Sequence, residues 1–455
     1  MTKLHAADRI RSATGRAVAP VAISIVLGVL LLGVNGCDSG GDEDARESAA
    51  VPSSEWNDPP GRWHRTHDGR LTDEQQAEIE RLETIGYLAG STEAPDVAGV
   101  TIRAEGAYEG LNFYTSGHFP GAILMDMDGN ILHSWRFRFI DAWEAGPRGE
   151  LPRKARGAGY WRRAHLFENG DVLAIFEGLG LIKVNKDSEL IWAYLEGVHH
   201  DLDVWEDGTI YVLTRDAHVN PEINPDEPVL EDYVVVLDAR GRELRRVSLY
   251  DAFAESKFSV ALQGMATSGD IFHTNTIEVL DGTHVGTYPH FARGRVLFCV
   301  REIEVVGILD LDLEKVVWAI EQPWEKPHDP RFIRNGNMMI FDNMGYWGGS
   351  RIVEFNPLTM VVEWTYQGEE PQDFASKECG TSQRLPNGNT LITESDRGRA
   401  FEVKPDGAIV WEYVNPAHAG EHNDFIATIF DMVRIESDYP GRWLERRPRD
   451  VASSR

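Results

Sequence analysis

From about Thr101 onward the apolar positions of the chain fall in short runs separated by turns rich in Asn, Asp and Gly. The turns Phe167-Glu168-Asn169-Gly170, Trp205-Glu206-Asp207-Gly208, Ile333-Arg334-Asn335-Gly336 and Leu385-Pro386-Asn387-Gly388 each lead into an apolar strand such as Met338-Met339-Ile340-Phe341. A second turn then leads to a tryptophan in five places, at Trp135, Trp192, Trp318, Trp364 and Trp411. This is the punctuation of strands and hairpins. Trp318, Trp364 and Trp411 lie 46 and 47 residues apart, the period of propeller blades of roughly 40–50 residues. The alternation excludes helical solenoids of similar period. Units fall near 160–196, 200–249, 262–321, 328–368 and 380–415. The hairpin at 122–135 and the late apolar strand at 426–435 each lack the rest of a blade, so the two chain ends are expected to share a sixth, although 97–115 is a second candidate partner for that strand. The expected body is an all-β, six-bladed β-propeller over 96–440, closed so that neither sheet edge is exposed, with a polar tail at 441–455.

The pattern changes before the repeats begin. Thr72-Asp73-Glu74-Gln75 is a capping-box sequence, and Ile79, Leu82 and Ile85 follow at helical spacing before Gly86, which predicts one short amphipathic helix within 71–95 that packs on the body. Residues 38–70 are rich in Ser, Gly, Pro and acidic residues and read as a solvated tether. Ahead of them, Lys3, Arg9, Arg11 and Arg16 precede an apolar run over 21–34 that is short for a membrane span. It ends in Val34-Asn35-Gly36-Cys37, which resembles the lipobox of bacterial lipoproteins, Asn35 being a less usual occupant. Residues 1–37 therefore read as a signal peptide whose Cys37 is acylated and tethers the body to the membrane. An uncleaved anchor helix is the alternative. Either way the body lies in the cell envelope, periplasmic or on the outer surface.

Composition narrows the partners. The 455 residues are 42% hydrophobic and 10% aromatic, enough for a large core, and 73 Asp+Glu against 45 Lys+Arg give a net charge of −28. Such a surface argues against nucleic acid, because phosphate contacts need positive charge. An anionic small molecule would have to be held by a local cluster of His and Arg. Beyond Cys37 only Cys299 and Cys379 remain, so disulfides do not hold the fold together.

Ligands of propellers bind on the central axis, beside the start of each innermost strand. Counted back from the turn glycine, His200 lies eight residues before Gly208, His328 eight before Gly336, and His273 nine before Gly282. Arg162 and Gly380 hold the same place before Gly170 and Gly388. A closed ring brings such positions together, so His200, His273 and His328 are candidate site residues and Arg162 a further candidate. His199 is expected to point away from the funnel, since neighbouring strand residues alternate. Ligation of Zn or Cu by the three imidazoles is the metal reading; repeat-spaced ligands on a broad funnel fit it poorly.

His199-His200-Asp201 before Asp207-Gly208, Phe272-His273-Thr274-Asn275-Thr276, the apolar strand at 296–301 ending in Arg301, and His328 leading to Phe341-Asp342-Asn343 together resemble the bacterial arylsulfate sulfotransferases, six-bladed propellers that move a sulfuryl group between phenols. The resemblance spans roughly 110–411. It departs at 344–351, where a longer turn leads to Arg351 and leaves acceptor selection open. The stretch before Gly110 is also short beside members that carry a separate β-domain, so dimer contacts do not carry over and the oligomeric state stays open.

The resemblance implies PAPS-independent transfer from an aryl sulfate donor to a phenolic acceptor, with neutral His328 attacking sulfur to give a sulfohistidine. Arg301 would hold the sulfuryl oxygens, while His200 and His273 would stabilise them and exchange protons with the phenols. No cofactor and no metal is required. Arg301 also reads as a salt-bridge residue beside Glu302. Two other classes compete: a non-catalytic binding or scaffold propeller of the envelope, and a quinoprotein-like oxidoreductase, whose oxygen-rich Ca²⁺ ligands are not evident at the funnel positions.

Overall fold

Residues 71–83, 92–145, 156–284, 288–321, 323–420, 422, 424–436, 439 and 442–445 are described by a computed structural model. The signal segment with Cys37, the tether, Ile85 and Gly86, and most of the tail lie outside the described residues.

The turn-strand-turn-strand units each form an antiparallel sheet of four strands, and six such sheets make the propeller. Counted along the chain, blade 1 runs over 163–194, blade 2 over 198–248, blade 3 over 274–321, blade 4 over 328–367 and blade 5 over 381–414. Blade 6 joins the two ends of the chain: Ile429–Ile435 pairs with Leu111–Ser116, followed by Gly121–Met125 and Ile131–Arg136. The earlier strand Gly99–Arg103 instead adds a fifth strand to the outer edge of blade 5, beside Ile409–Val414. Central strands such as Val172–Phe176 and Val296–Val300 are buried throughout, whereas the outer Val362–Gln367 carries no buried residue. This gradient explains the apolar runs, which serve strands covered on both faces by neighbouring blades.

Three of the periodic tryptophans join one blade to the next by a hydrogen bond. The indole N–H of Trp135 in blade 6 donates to the Gly170 carbonyl of blade 1 at 2.9 Å. Trp364 of blade 4 donates to Pro405 of blade 5, and Trp411 of blade 5 to Met127 of blade 6, each at 2.9 Å. A large apolar ring with one donor at its edge suits a position that is buried yet must satisfy a turn carbonyl.

Charge replaces apolar packing on the axis. Arg163 from blade 1 reaches Asp201 of blade 2 and Asp431 of blade 6 at 2.8 Å each, and Asp329 of blade 4 at 3.6 Å. Arg331 of blade 4 pairs with Asp201 at 2.8 Å and Asp329 at 3.0 Å. Backbone N–H groups complete the shell: Ile277 of blade 3 donates to Asp201 at 3.0 Å, and Ser382 of blade 5 to Asp329 at 2.8 Å. All six blades thus meet in one hydrogen-bonded hub, in which no carboxylate is left unpaired.

The N-terminal helix spans Asp73–Glu83. Thr72 and Gln75 cap it reciprocally, with Gln75 N–H donating to Thr72 Oγ1 at 3.1 Å and Thr72 N–H to Gln75 Oε1 at 2.9 Å. Ile79 and Leu82 pack on Ala217 and Leu230 of blade 2.

Candidate active site

Irregular backbone at the starts of the inner strands aims the histidines. His200 and His273 adopt left-handed φ of 53° and 52°, and Asp329, which follows His328, has φ 51°. Such backbone costs on the order of 1–3 kcal/mol per residue and persists where surrounding structure enforces it. In blade 2 the pairing jumps from Leu202 opposite Val212 to His199 opposite Leu213, so His200 and Asp201 sit in a bulge. In blade 4, His328 pairs with Phe341 just ahead of a similar irregularity before Arg331. The glycine count that aligns His200 with His328 therefore aligns chain position, while the two bulges differ.

Four candidate residues meet at one place. The rings of His200 and His273 touch edge to face with centroids 5.0 Å apart. The Arg301 backbone N–H donates to the His273 carbonyl at 3.3 Å, and the charges of Arg301, Arg162 and His273 all act on His328. His328, His200, His273 and Arg301 are all buried. Arg301 pairs with Glu302, its neighbour in sequence, and with Glu378 at 3.0 Å; the guanidinium itself is buried, while both glutamates reach solvent.

Hydrogen bonds fix the tautomer of His328. Its Nδ1 lies 2.9 Å from Asn343 Oδ1 and 3.1 Å from the Lys326 carbonyl, two atoms that only accept. The Asn343 amide is oriented by its Nδ2 donating to the carbonyls of Ser376 at 2.6 Å and Cys379 at 3.1 Å. Nδ1 must carry the proton, which leaves the lone pair on Nε2. That buried nitrogen has no hydrogen-bond partner among the described residues. Burial, with the charges of Arg301 and Arg162 added, holds the His328 pKa well below its usual range, so the ring is neutral.

Behind His200 and His273 lies a second layer of titratable groups. His273 Nδ1 bonds Asp270 at 2.8 Å. Although burial works to raise it, the charge of His273 holds Asp270 below the ordinary carboxyl range. His200 N–H donates to Glu177 Oε2 at 3.1 Å, and Arg162 and Arg215 approach Glu177 at 3.9 and 4.0 Å. Gly178 makes room for this: its φ is +70°, and a Cβ there would stand 2.4 Å from the Arg215 guanidinium. Arg162 also lies over the Phe430 ring at 5.0 Å, which places it at the site.

His199 corrects the expectation drawn from strand alternation. It does not face away: it is buried, and its Nδ1 lies 2.8 Å from His200 Nδ1. The bulge and the left-handed His200 break the alternation at this step. Asn343, Asp270, Asp232 and Glu177 were not singled out in the sequence as site residues. Asn343 stood in the strand-end segment after His328, and Asp270 three residues before His273; nothing local marks Asp232 or Glu177.

Glu177, His199 and His200 bring ligand-type atoms within 4.8 Å of one another. Two guanidiniums stand within about 4 Å of the carboxylate, and a cation there would have to overcome both, so the trio fits a metal poorly. A cavity of 1580 Å³ opens where the Asn-Gly turns lie, lined by residues including Arg163, Arg331, Asn335 and Arg384 and by none of the four candidate residues.

A sequence profile of the family described as Arylsulfotransferase (ASST) matches residues 163–416. No curated protein matches the chain. Among solved structures the chain is similar to a protein of unknown function from Bacteroides caccae, with 11% identity over 71% of this chain and 98% of that one at a TM-score of 0.46. It is also similar to the Cps50 (Swd1) β-propeller domain of Myceliophteria thermophila, with 10% identity over 71% and 91% at a TM-score of 0.42. AztD from Citrobacter koseri shares 9% identity over 72% and 98% at a TM-score of 0.38.

Proposed function

The chain belongs to the arylsulfotransferase family, and from that premise we propose that it transfers a sulfuryl group from an aryl sulfate to a phenolic acceptor through a sulfohistidine on His328. The observation that carries this reading is the neutral, Nδ1-protonated His328, whose buried Nε2 lone pair is left without a partner beside Arg301 and Arg162. In the first half-reaction the Nε2 lone pair attacks sulfur and the S–O bond to the aryl group breaks, releasing a phenol once its oxygen is protonated. In the second, the acceptor oxygen attacks the same sulfur, the N–S bond breaks, and His328 regains its lone pair.

Such transfers pass through a loose transition state, so positioning and charge do most of the work. Arg301, always charged, is the counter-charge for the sulfuryl oxygens, with Arg162 beside it. His200 and His273 exchange protons with the phenol oxygens, because a phenolate of pKa about 10 leaves poorly without one. Envelope location through a lipid on Cys37 belongs to the same proposal. No helix of the described residues is long and apolar enough to cross a membrane.

Treating the protein with aryl sulfate alone and searching by mass spectrometry under non-acidic conditions tests the assignment. His328→Ala should abolish the adduct, whereas His200→Ala and His273→Ala should slow its formation by about 10²–10⁴ and still leave it detectable. Adduct on another residue would refute the role of His328. No adduct in wild type across varied donors would favour a binding propeller.

A further inference from the structure

We propose that His199 and Asp232 form a proton relay behind His200, supplying a proton for the departing phenolate and recovering one from the incoming phenol. The inference rests on the sulfuryl transfer proposed above. His200 Nδ1 lies 2.8 Å from His199 Nδ1, and the far side of the His199 ring faces Asp232, with Nε2 and Oδ1 3.4 Å apart. His199 and Asp232 are each 1% exposed, and neither His199 Nε2 nor Asp232 Oδ1 makes a well-formed hydrogen bond elsewhere among the described residues. The Thr214 carbonyl also lies near the His199 ring.

The chemistry demands such a partner. A neutral imidazole that gives up its one proton becomes an imidazolate, and one that gains a proton becomes an imidazolium. Burial opposes the second for both His199 and His200, and the nearby guanidiniums add to that, while the first lies far outside ordinary protein chemistry. A buried neutral His200 can release a proton from Nε2 only if another arrives at Nδ1, and the atom within hydrogen-bond distance of Nδ1 is His199 Nδ1 at 2.8 Å, with Glu177 Oε1 farther off at 3.5 Å.

Two proton arrangements follow. In the loaded one, Asp232 is a carboxylic acid donating to His199 Nε2, His199 Nδ1–H donates to His200 Nδ1, and His200 Nε2–H points onward. When the aryl oxygen takes the Nε2 proton, the His199 proton moves to His200 Nδ1 and the Asp232 proton to His199 Nε2. Both rings stay neutral, and the relay ends with one proton fewer and a carboxylate on Asp232. The acceptor phenol reverses every shift and restores the acid, so the cycle closes with no net proton.

The surroundings suit both ends. Burial, with the charge of Asp270 added, pushes the Asp232 carboxyl above its ordinary range, which favours the loaded form. The carboxylate it becomes accepts the Thr274 N–H at 2.7 Å and feels the charge of Arg215. Glu177 and Arg162 face His200 from blade 1, and His273 from the segment entering blade 3. Asp270 is already committed to His273.

The test compares two donors in the full chain: a nitrophenyl sulfate, whose phenolate leaves readily, and an alkylphenyl sulfate, whose phenolate needs a proton. The rate of sulfohistidine formation is measured in wild type, Asp232→Asn and His199→Gln. Both variants should slow the alkylphenyl donor about 10²-fold more than the nitrophenyl donor, and the solvent isotope effect on the alkylphenyl donor should change with them. The ratio between donors is insensitive to the fraction of variant that folds. Equal slowing of both donors, or no slowing of either, would overturn the relay and leave the transferase reading standing. Absence of adduct in wild type with both donors would overturn both.

Discussion

His328 and Asn343 form one unit: the 2.9 Å contact from Nδ1 to Oδ1, with the Asn amide pinned by two carbonyls, sets which imidazole nitrogen carries the lone pair. Asn343 thus positions the nucleophile from fifteen residues further along the chain, on the strand that pairs with its own.

Replacing Asn343 by Leu should therefore slow sulfohistidine formation about 10²-fold, since the ring is then held by the Lys326 carbonyl alone. The carbonyls of Ser376 and Cys379 lose a donor, so stability should fall by about 1–3 kcal/mol. Rapid-quench mass spectrometry gives the first and thermal unfolding the second. An unchanged rate of adduct formation would remove Asn343 from the site.

The pH dependence has a definite sign. Because burial, Arg301 and Arg162 lower the His328 pKa in the folded protein, its neutral form persists below pH 6.5, where an unfolded histidine takes up a proton. With the nitrophenyl donor, whose phenolate leaves without a proton, the rate of His328 loading should therefore stay level as pH falls through 6.5. The contribution of this residue to stability is present above that pH and is lost as pH falls towards the folded pKa. Wild type measured against His328→Gln should lose ground below pH 6.5, by at most about 1.4 kcal/mol per pH unit. A stability difference constant from pH 7.5 to 5 would contradict the lowered pKa.

Arg163→Met would leave Asp201, Asp329 and Asp431 facing one another with only Arg331 to offset them. Breaking a buried pair of this kind costs about 3–5 kcal/mol. A clear fall in the midpoint of denaturant unfolding is expected. A midpoint within experimental error of wild type would show that the hub does not hold the blades together.

Cys37→Ala should abolish incorporation of labelled fatty acid and release the body into the soluble fraction of the envelope, as the segment Val34-Asn35-Gly36-Cys37 suggests. Label that persists in this variant would overturn the lipobox reading.

The blades were legible because their signals are local. An Asn-Gly or Asp-Gly turn needs its glycine, and Trp135, Trp364 and Trp411 each reach a turn carbonyl in the next blade, so Gly336 or Trp411 carries its meaning within a few residues of sequence. His200, His273 and His328 could be picked out by counting from those glycines. The groups that tune them could not. Asp232 reaches His199 from a middle strand of blade 2, Glu177 reaches His200 from blade 1, and the bulge that turns His199 inward depends on how Leu202 and Leu213 find their partners. These are consequences of closing the ring, and no spacing along one unit encodes them.

That closure has a consequence for synthesis. The innermost strand of blade 6, Ile429–Ile435, carries Phe430, over which Arg162 lies, and Asp431, to which Arg163 is tied, and it is the last strand of the propeller to be made. A nascent chain of 420 residues would already possess every histidine of the site and still lack the wall that orders its arginines. The reactive centre is therefore completed only once this strand is made, and a product terminated before it would be an open ring with exposed strand edges and arginines not yet held in place.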